Sequence, residues 1–452
     1  MKFKILNFLF TGEIAKDNQY IKKIAIILLI GLILRLVLMP ISMHNDFLSE
    51  HIRAEFIIFG GHPFAVTSQF LSHYIDAAFL FIFSPFIADH AKVFNLPAFV
   101  GSASTVENES FLNFIDSPSS YRTLFLLKIP YLLCDFLCFF MLIRLLSTKK
   151  SSFWLACFWM FNPVSIYAIY VYGRFEIYWA MFLIASLLLS KKEKPYLSSL
   201  MFGLAIASRS YLLMMIPLFS LLISKKLITK IASFFIAIAP ILLYNLLSKL
   251  LGYSPFFYKS VPTSNIIESL AEGGFIGLGL IPRIDFGSYQ LYLLILAFIL
   301  IYTWILCKKE HGFKSIITGC SLIILSYFLL APFSTHWFFW TIPWLALILT
   351  EIPKIRWTAW AICSAWFLHS ALFSDWSVFT LYLFSPINPQ YFMTRPNLSQ
   401  IILALTANIG TGAKSIISPE ILLGIVRSFL TVFILWVMVN IIRNKASKHL
   451  SE

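Results

Sequence analysis

The chain has 452 residues, 59% of them hydrophobic and only 12% charged, and 35 Lys and Arg against 21 Asp and Glu give a net charge of +14. Soluble domains carry about 25% charged residues, and no soluble fold of this length hides so much apolar surface; lipid is the solvent that tolerates it. The basic residues cluster between apolar runs, at Lys22-Lys23, Lys149-Lys150, Lys191 to Lys194, Lys225-Lys226, Lys308-Lys309, Lys354 with Arg356, and Arg443 to Lys448. That is the positive-inside pattern of membrane loops, and it excludes the basic, aromatic-interleaved stripe that a nucleic-acid partner requires.

The residues before Ile24 are mixed and charged, and the apolar run after them has no small-residue cleavage site. Residues 24–43 are therefore expected to remain as a first span rather than be removed as a signal peptide. Segment 44–120 follows as a large outer loop with interfacial helices. Within it, 70–87 is apolar but broken by Ser72, His73, Asp76 and Pro85, a pattern expected to lie along the interface or dip into it rather than span. Runs at 121–146, 152–172, 174–190, 229–250, 289–307, 314–332, 336–350, 356–374 and 419–442 are read as further spans, against the roughly 20 apolar residues that one needs. The stretch 196–224 has basic clusters on both sides and is short for two crossings. Ser208-Arg209-Ser210 interrupts it, so it is expected to form a helical hairpin whose polar tip reaches part-way.

The sum is an all-α integral membrane protein of about 10 to 12 transmembrane helices. It reads as one multi-pass domain over residues 1–452, with a membrane core at 121–350 and C-terminal spans plus an outer loop at 351–452. Threading the basic clusters inside puts both termini in the cytoplasm of a plasma (inner) membrane. Segments 44–120, 251–288 (with Glu268, Glu272 and Gly273-Gly274) and 375–418 (with Pro386, Pro389, Pro396 and an amphipathic stretch after Asn397) then face outside or the periplasm. The six cysteines give no disulfide framework; Cys134 and Cys138 share a helix face but, without a nearby His, read as packing residues.

Three places carry groups able to do chemistry. The first runs from His44 to Glu55 and ends at Gly60-Gly61-His62-Pro63. Asn45 or Asp46 can cap a helix there and the glycines can end it, with Asp46, Glu50 and Arg53 along one face. A base, a cation and imidazoles at the membrane surface, where ionisable groups are expensive, point to a reactive site rather than a solvated helix. The second is the short outer turn Tyr172-Gly173-Arg174-Phe175-Glu176, together with Arg209 in the hairpin tip. An Arg inside an apolar stretch needs an anion or an aqueous cavity, and Arg is the preferred phosphate clamp; a salt bridge to Glu176 is the competing explanation. The third is Phe333 to Trp344, where an interfacial aromatic belt accounts for most of the Trp residues but not for His336. Arg35, one turn below the outer end of the first span, reads as a packing or snorkelling residue.

These segments resemble a known family. Asp46 followed by Arg53-Ala54-Glu55-Phe56 and Gly60-Gly61-His62-Pro63-Phe64 looks like the first outer loop of the polyprenol-phosphate-dependent glycosyltransferases of the C-type fold, with the PIG-M-like mannosyltransferases and related bacterial enzymes as the comparison. Tyr172 to Glu176 is similar to that family's Gly-Gln-Phe-Asp turn. Gly203 to Tyr211, followed by Pro217, is similar to its Gly-Leu-Ala-x-x-Phe-Lys-x-Tyr-Pro stretch. Phe333 to Pro343 looks like its Phe-x-Pro-x-[Tyr/His]-x-x-Trp-x-x-Pro motif. Arg174 stands where the family has Gln, Glu176 where it has Asp, Arg209 where it has Lys, and a single carboxylate where some members have an Asp pair.

The resemblance implies transfer of a hexose, mannose-like, from a polyprenyl-phosphate sugar to the hydroxyl of a glycan or glycolipid acceptor, with the lipid lodged between spans. A sugar on a lipid phosphate already has a good leaving group. The enzyme then needs a base for the acceptor hydroxyl and cations for the departing phosphate. Asp46 takes the role of base, and Glu50, Arg53, Arg174, Glu176, Arg209, Tyr211 and His336 are candidate substrate binders. One carboxylate without a positioned nucleophile implies inverting single displacement. No metal ligands are assigned, and a divalent metal is left open as a cofactor. Rival readings are a multi-pass transporter, or a flippase or polymerase of lipid-linked sugars. A transporter would place its ionisable groups near the midplane and show repeat symmetry, and no internal repeat is visible.

Overall fold

The computed structural model describes residues 17–61, 63–64, 69–87, 108–145, 149–251, 283–286, 289–308, 310–372, 381–396, 398–406 and 419–449. Helix dominates. α1 spans Asn18–Ile41, α2 Asn45–Ile58, α3 Phe70–Phe83, α4 Asn108–Ile115, α5 Ser120–Leu145 and α6 Lys149–Phe161. α6 continues through Pro163–Ser165 into a π-helical segment, Ile166–Val171. α7 covers Glu176–Lys191, α8 Pro195–Ser208, α9 Ile216–Leu222 and α10 Leu227–Leu250. A two-stranded antiparallel hairpin, β1 Arg283–Phe286 with β2 Tyr289–Tyr292, precedes α11, Leu293–Cys307. α12 is Phe313–Leu330, α13 Ile342–Glu351, α14 Arg356–Leu372, α15 Leu398–Thr406 and α16 Pro419–His449.

Among the described residues, six helices are long and apolar enough to cross a membrane: Asn18–Ile41, Ser120–Leu145, Ser151–Val171, Leu227–Leu250, Phe313–Leu330 and Pro419–Asn444. Each coincides with a run expected from hydropathy, and together they make this a multi-pass, all-helical membrane protein apart from the small hairpin. Their burial sorts them. The apolar windows of α5, the 151–171 helix and α12 are 50%, 67% and 72% buried, whereas those of α1, α10 and α16 are 28%, 22% and 17%. The first three form the middle and the others an outer ring. Ile30, Ile33, Phe235, Leu246, Phe429 and Val432 lie exposed on that ring, a surface that suits acyl chains and would aggregate in water.

The remaining expected spans are shorter or broken. Run 174–190 contains all but the last residue of the 16-residue α7, and run 356–374 contains the 17-residue α14. Run 289–307 begins as strand β2 before its 15-residue helix, and 336–350 begins as a 3-10 helix, Thr335–Thr341, before α13. The 196–224 stretch breaks where its sequence interrupts. Arg209 is extended (φ −156°, ψ 107°) between α8 and a 3-10 segment, Ser210–Met215, and the arms close through Phe202 stacked on Phe219 at 4.2 Å. α8 also presses on α10 so closely that a Cβ on Gly203 would stand 2.6 Å from the Ala237 carbonyl oxygen. The amphipathic stretch after Asn397 is α15. Glu268, Glu272, Gly273-Gly274 and His62 lie outside the described residues.

A buried polar network ties α1, α5 and α6 together. Arg35, expected to pack or snorkel, is fully buried and donates from Nε to Asp135 Oδ2 at 2.6 Å. Its Nη1 donates to the carbonyls of Gly31 (3.0 Å) and Met160 (2.9 Å), and its Nη2 to that of Trp159 (3.4 Å). Asp135 also accepts from Trp159 Nε1 (2.7 Å) and the Tyr170 hydroxyl (2.8 Å). With both charges multiply hydrogen-bonded, the desolvation cost of a buried ion pair is offset. Snorkelling fails because Asp135, 100 residues away in sequence, supplies the partner inside the bundle.

Candidate functional site

The site grows from two chain segments held side by side. α2 begins because His44, not Asn45 or Asp46, caps it, the imidazole Nδ1 accepting the Asp46 N–H at 3.1 Å. It ends at Phe59 with Gly61 at φ +68° beyond, as the glycine pair led one to expect. The opposing turn follows the π-helical segment. Tyr172 N–H reaches back to the Tyr167 carbonyl (2.7 Å) and Arg174 N–H to that of Ala168 (2.9 Å). Gly173 makes the turn with φ +86°, a conformation that side chains resist, and packs so near Phe47 that a Cβ would lie 2.8 Å from its ring. His44 N–H donates to the Tyr172 carbonyl at 3.0 Å. Behind both segments Lys128 of α5, fully buried, donates to the carbonyls of Ser42 and Tyr170, the latter at 2.8 Å. π-Bulges of this kind recur at functional sites, where they re-aim side chains.

This alignment sets Asp46 against Arg174. Arg174 Nη1 donates to Asp46 Oδ2 at 3.2 Å and to Glu50 Oε1 at 2.6 Å. Glu50 Oε2 accepts from Arg53 (2.9 Å) and lies 3.2 Å from His73 Nδ1. The Tyr172 hydroxyl donates to Asp46 Oδ2 at 3.1 Å, and its ring is sandwiched between His44 (4.1 Å) and His336 (4.6 Å). A second ion pair adjoins the first. Arg209 Nη2 donates to Glu176 Oε1 at 2.7 Å, Trp340 Nε1 donates to Glu176 Oε2 at 3.0 Å, and His336 Nε2 stands 3.9 Å from Oε1. Arg209 also donates to the Gln69 side chain, and its guanidinium carbon lies 5.2 Å over Trp340. Phe175 lies between the two cations, 5.2 Å from the Arg174 guanidinium carbon and 5.4 Å from that of Arg209. Tyr211 stacks on Trp340 at 3.8 Å and 5°.

All eight sequence-selected residues therefore join one network, closed on itself in this state. Asp46 keeps 18% of its side chain exposed, Arg174 and Arg53 10%, Glu50 2% and Glu176 none. The Glu176–Arg209 salt bridge, the competing explanation for Arg209, is present. Two buried donors, Nε of Arg174 and Nε of Arg209, have no hydrogen-bond partner among the described residues. Unpaired buried donors cost free energy, so this pair of guanidiniums retains capacity for an anion.

The network holds Asp46 and Glu50 ionised. Burial pushes Asp46 up, but Arg174 and His44 outweigh it and leave the carboxyl well below its usual range. Burial likewise raises Glu50, and Arg53 and Arg174 more than reverse this, lowering it to about 2. Among the described residues no group of three or more His, Cys, Asp or Glu is arranged to hold a metal. Asp46, Glu50 and Glu176 each face a guanidinium instead, a donor set that does not fit a divalent ion.

Trp340, His73, Asp76, Lys128 and Asp135 are not among the candidates that the sequence offers. An interfacial aromatic belt accounts for Trp340 in the sequence, but it is 2% exposed and faces the cluster, because the 3-10 turn rotates it inward. His73 and Asp76 stand in the sequence as breaks in an apolar segment. They instead line the buried face of α3, where Asp76 accepts from Tyr178 at 2.6 Å. Lys128 and Asp135, both inside an apolar run, carried a usable signal, since ionisable residues within a span mark buried polar contacts. Comparison with family models, curated proteins and solved structures gives no match.

Proposed function

We propose that the protein is a membrane glycosyltransferase moving a hexose from a polyprenyl-phosphate sugar to an acceptor hydroxyl on the extracytoplasmic side. What supports this most is the convergence of four sequence-distant segments, those carrying the family resemblance, on one polar network that includes Asp46, Arg174, Glu176, Arg209 and His336. The topology in this reading is the C-type arrangement of about 10 to 12 spans, with the shorter helices α7, α11, α13 and α14 crossing beside the six long ones.

In this mechanism Asp46 accepts the proton of the acceptor hydroxyl as the oxygen attacks the anomeric carbon. The bond from that carbon to the phosphate oxygen breaks on the opposite face, and the polyprenyl phosphate leaves with the electron pair. Arg174, Arg209 and His336 balance the charge that develops on it. The pairing of Arg174 with Asp46 gives the sequence of events a logic. A carboxylate held by a guanidinium is a weak base, and a donor phosphate that draws Arg174 away restores its proton affinity when it is needed. Glu176 keeps Arg209 in place through the exchange.

Asp46→Asn removes the base and nearly preserves shape. Sugar transfer in membranes supplied with polyprenyl-phosphate hexose is expected to fall by at least about 100-fold, with the purified protein still folded but unfolding at a lower temperature, because Arg174 loses one of its two carboxylate partners. Full transfer by that variant would overturn the assignment. A transporter or flippase would instead show sugar or lipid translocation without a new glycosidic bond, which mass spectrometry of the products distinguishes.

A further inference from the structure

At the end of α1 remote from the candidate site, a cavity of about 530 Å³ opens between α1 and α6. Its walls are Ile27, Phe153, Trp154 and Cys157, with Tyr20 and Lys23 also lining it. The volume falls within the usual range of sites for small organic ligands. The 21 residues from Lys23 to His44 put it roughly 30 Å from the cluster, at 1.5 Å per helical residue. It is a separate feature.

The charge around it is one-sided. Lys22 and Lys23 are exposed on α1. Trp154 meets Trp357 edge-on at 5.6 Å, and the Arg356 guanidinium carbon lies 5.6 Å over the Trp154 ring. Arg356 is 7% exposed, and its Nε has no hydrogen-bond partner among the described residues. Lys354, two residues before it, is exposed. Against these cations stand Asp17, which caps α1 by accepting the Tyr20 N–H at 3.0 Å, and Glu351, exposed at the end of α13. Two basic clusters that are far apart in sequence thus meet at an apolar, aromatic-walled cleft on a lipid-facing helix.

We infer that this cleft is a binding site for an anionic glycerophospholipid of the leaflet opposite the candidate site. The acyl chain lies along Ile27 and Phe153, and the phosphate meets Lys23 and Arg356 beside Trp154. Basic pockets between helices at a positive membrane face select acidic headgroups, because each cation interacts with a charge that a zwitterionic lipid presents already neutralised. The inference stands independently of the glycosyltransferase reading.

Cys157 lines the cavity and reports on it, whereas Cys307 is exposed elsewhere and serves as an internal control. The full-length protein in neutral detergent is titrated with phosphatidylglycerol, and maleimide labelling of each cysteine is followed by mass spectrometry. Phosphatidylglycerol is expected to slow labelling at Cys157 several-fold and leave Cys307 unchanged, with phosphatidylcholine inert. Lys23→Glu, a change at an exposed position that folding tolerates, should raise the lipid concentration needed by about fivefold or more, as loss of one cation at an acidic interface implies. Equal protection by phosphatidylcholine, no protection by either lipid, or an unchanged titration in Lys23→Glu would each overturn the proposal. Protection by an isoprenyl monophosphate but not by phosphatidylglycerol would overturn it in favour of the other phosphate lipid.

Discussion

Arg209 and Glu176 show how little freedom a buried charge has. Glu176 is fully buried, and its Oε1 has Arg209 at 2.7 Å. Arg209→Ala leaves that carboxylate facing only Trp340 and the more distant His336. The expected loss is about 3–5 kcal/mol, the range seen when one partner of a buried pair is removed. Adding Glu176→Gln should recover most of it. Thermal unfolding of the two single variants and the double in detergent measures the coupling, and additive losses would show the pair to be unimportant. Glu50 gives a pH signature at the same scale. Its folded carboxyl sits at about 2 against an ordinary 4.5, so the native state binds that proton less readily than the unfolded chain. Its stabilisation is complete above about 4.5 and disappears as the pH falls from there towards 2. The unfolding temperature should therefore hold between pH 7 and 5 and fall below about 4.5, with a shallower fall in Glu50→Gln.

The turn between the π-helical segment and α7 decides which of these charges meet. Gly173 and Gly312 both have positive φ, +86° and +94°, but only Gly173 has a neighbour, the buried Phe47 ring, where a Cβ would go. Alanine at Gly312 adds conformational strain alone, about 1–2 kcal/mol. Alanine at Gly173 adds the same strain plus displacement of Phe47, next to Asp46, and should cost more. Paired thermal unfolding measurements compare them; equal costs would mean that the turn does not position α2. The sequence signalled this turn through its Gly-Arg-Phe-Glu run. It gave no sign of the π-helical segment, whose i to i+5 bonds arise from the way Ser42, Lys128 and His44 hold the backbone around Tyr170 and Tyr172.

For the whole molecule, the basic clusters and the polar network mark opposite ends of α1, and this gives the orientation a test. In a chain whose six native cysteines are replaced, a cysteine at Gly61, which is exposed beyond α2, should react with membrane-impermeant maleimide in intact cells. A cysteine at Lys192, exposed in the basic turn after α7, should react only after permeabilisation. The reverse result would put the candidate site in the cytoplasm and rule out transfer on the outer face.

Composition and hydropathy determine the solvent of this protein, the six long helices among the described residues and the segments that carry the candidate site. Each of these depends on a sum over about 20 neighbouring residues, which the sequence displays directly. The pairing of charges was decided by the tertiary structure alone. Asp46 meets Arg174 across 128 positions and Trp340 meets Glu176 across 164, and no local periodicity encodes such distances. Burial had the same origin. Arg35 reads from sequence as a packing or snorkelling residue and Trp340 as part of an interfacial belt, yet each has a partner inside the bundle, and in a low-dielectric interior that partner outweighs the preference for the interface.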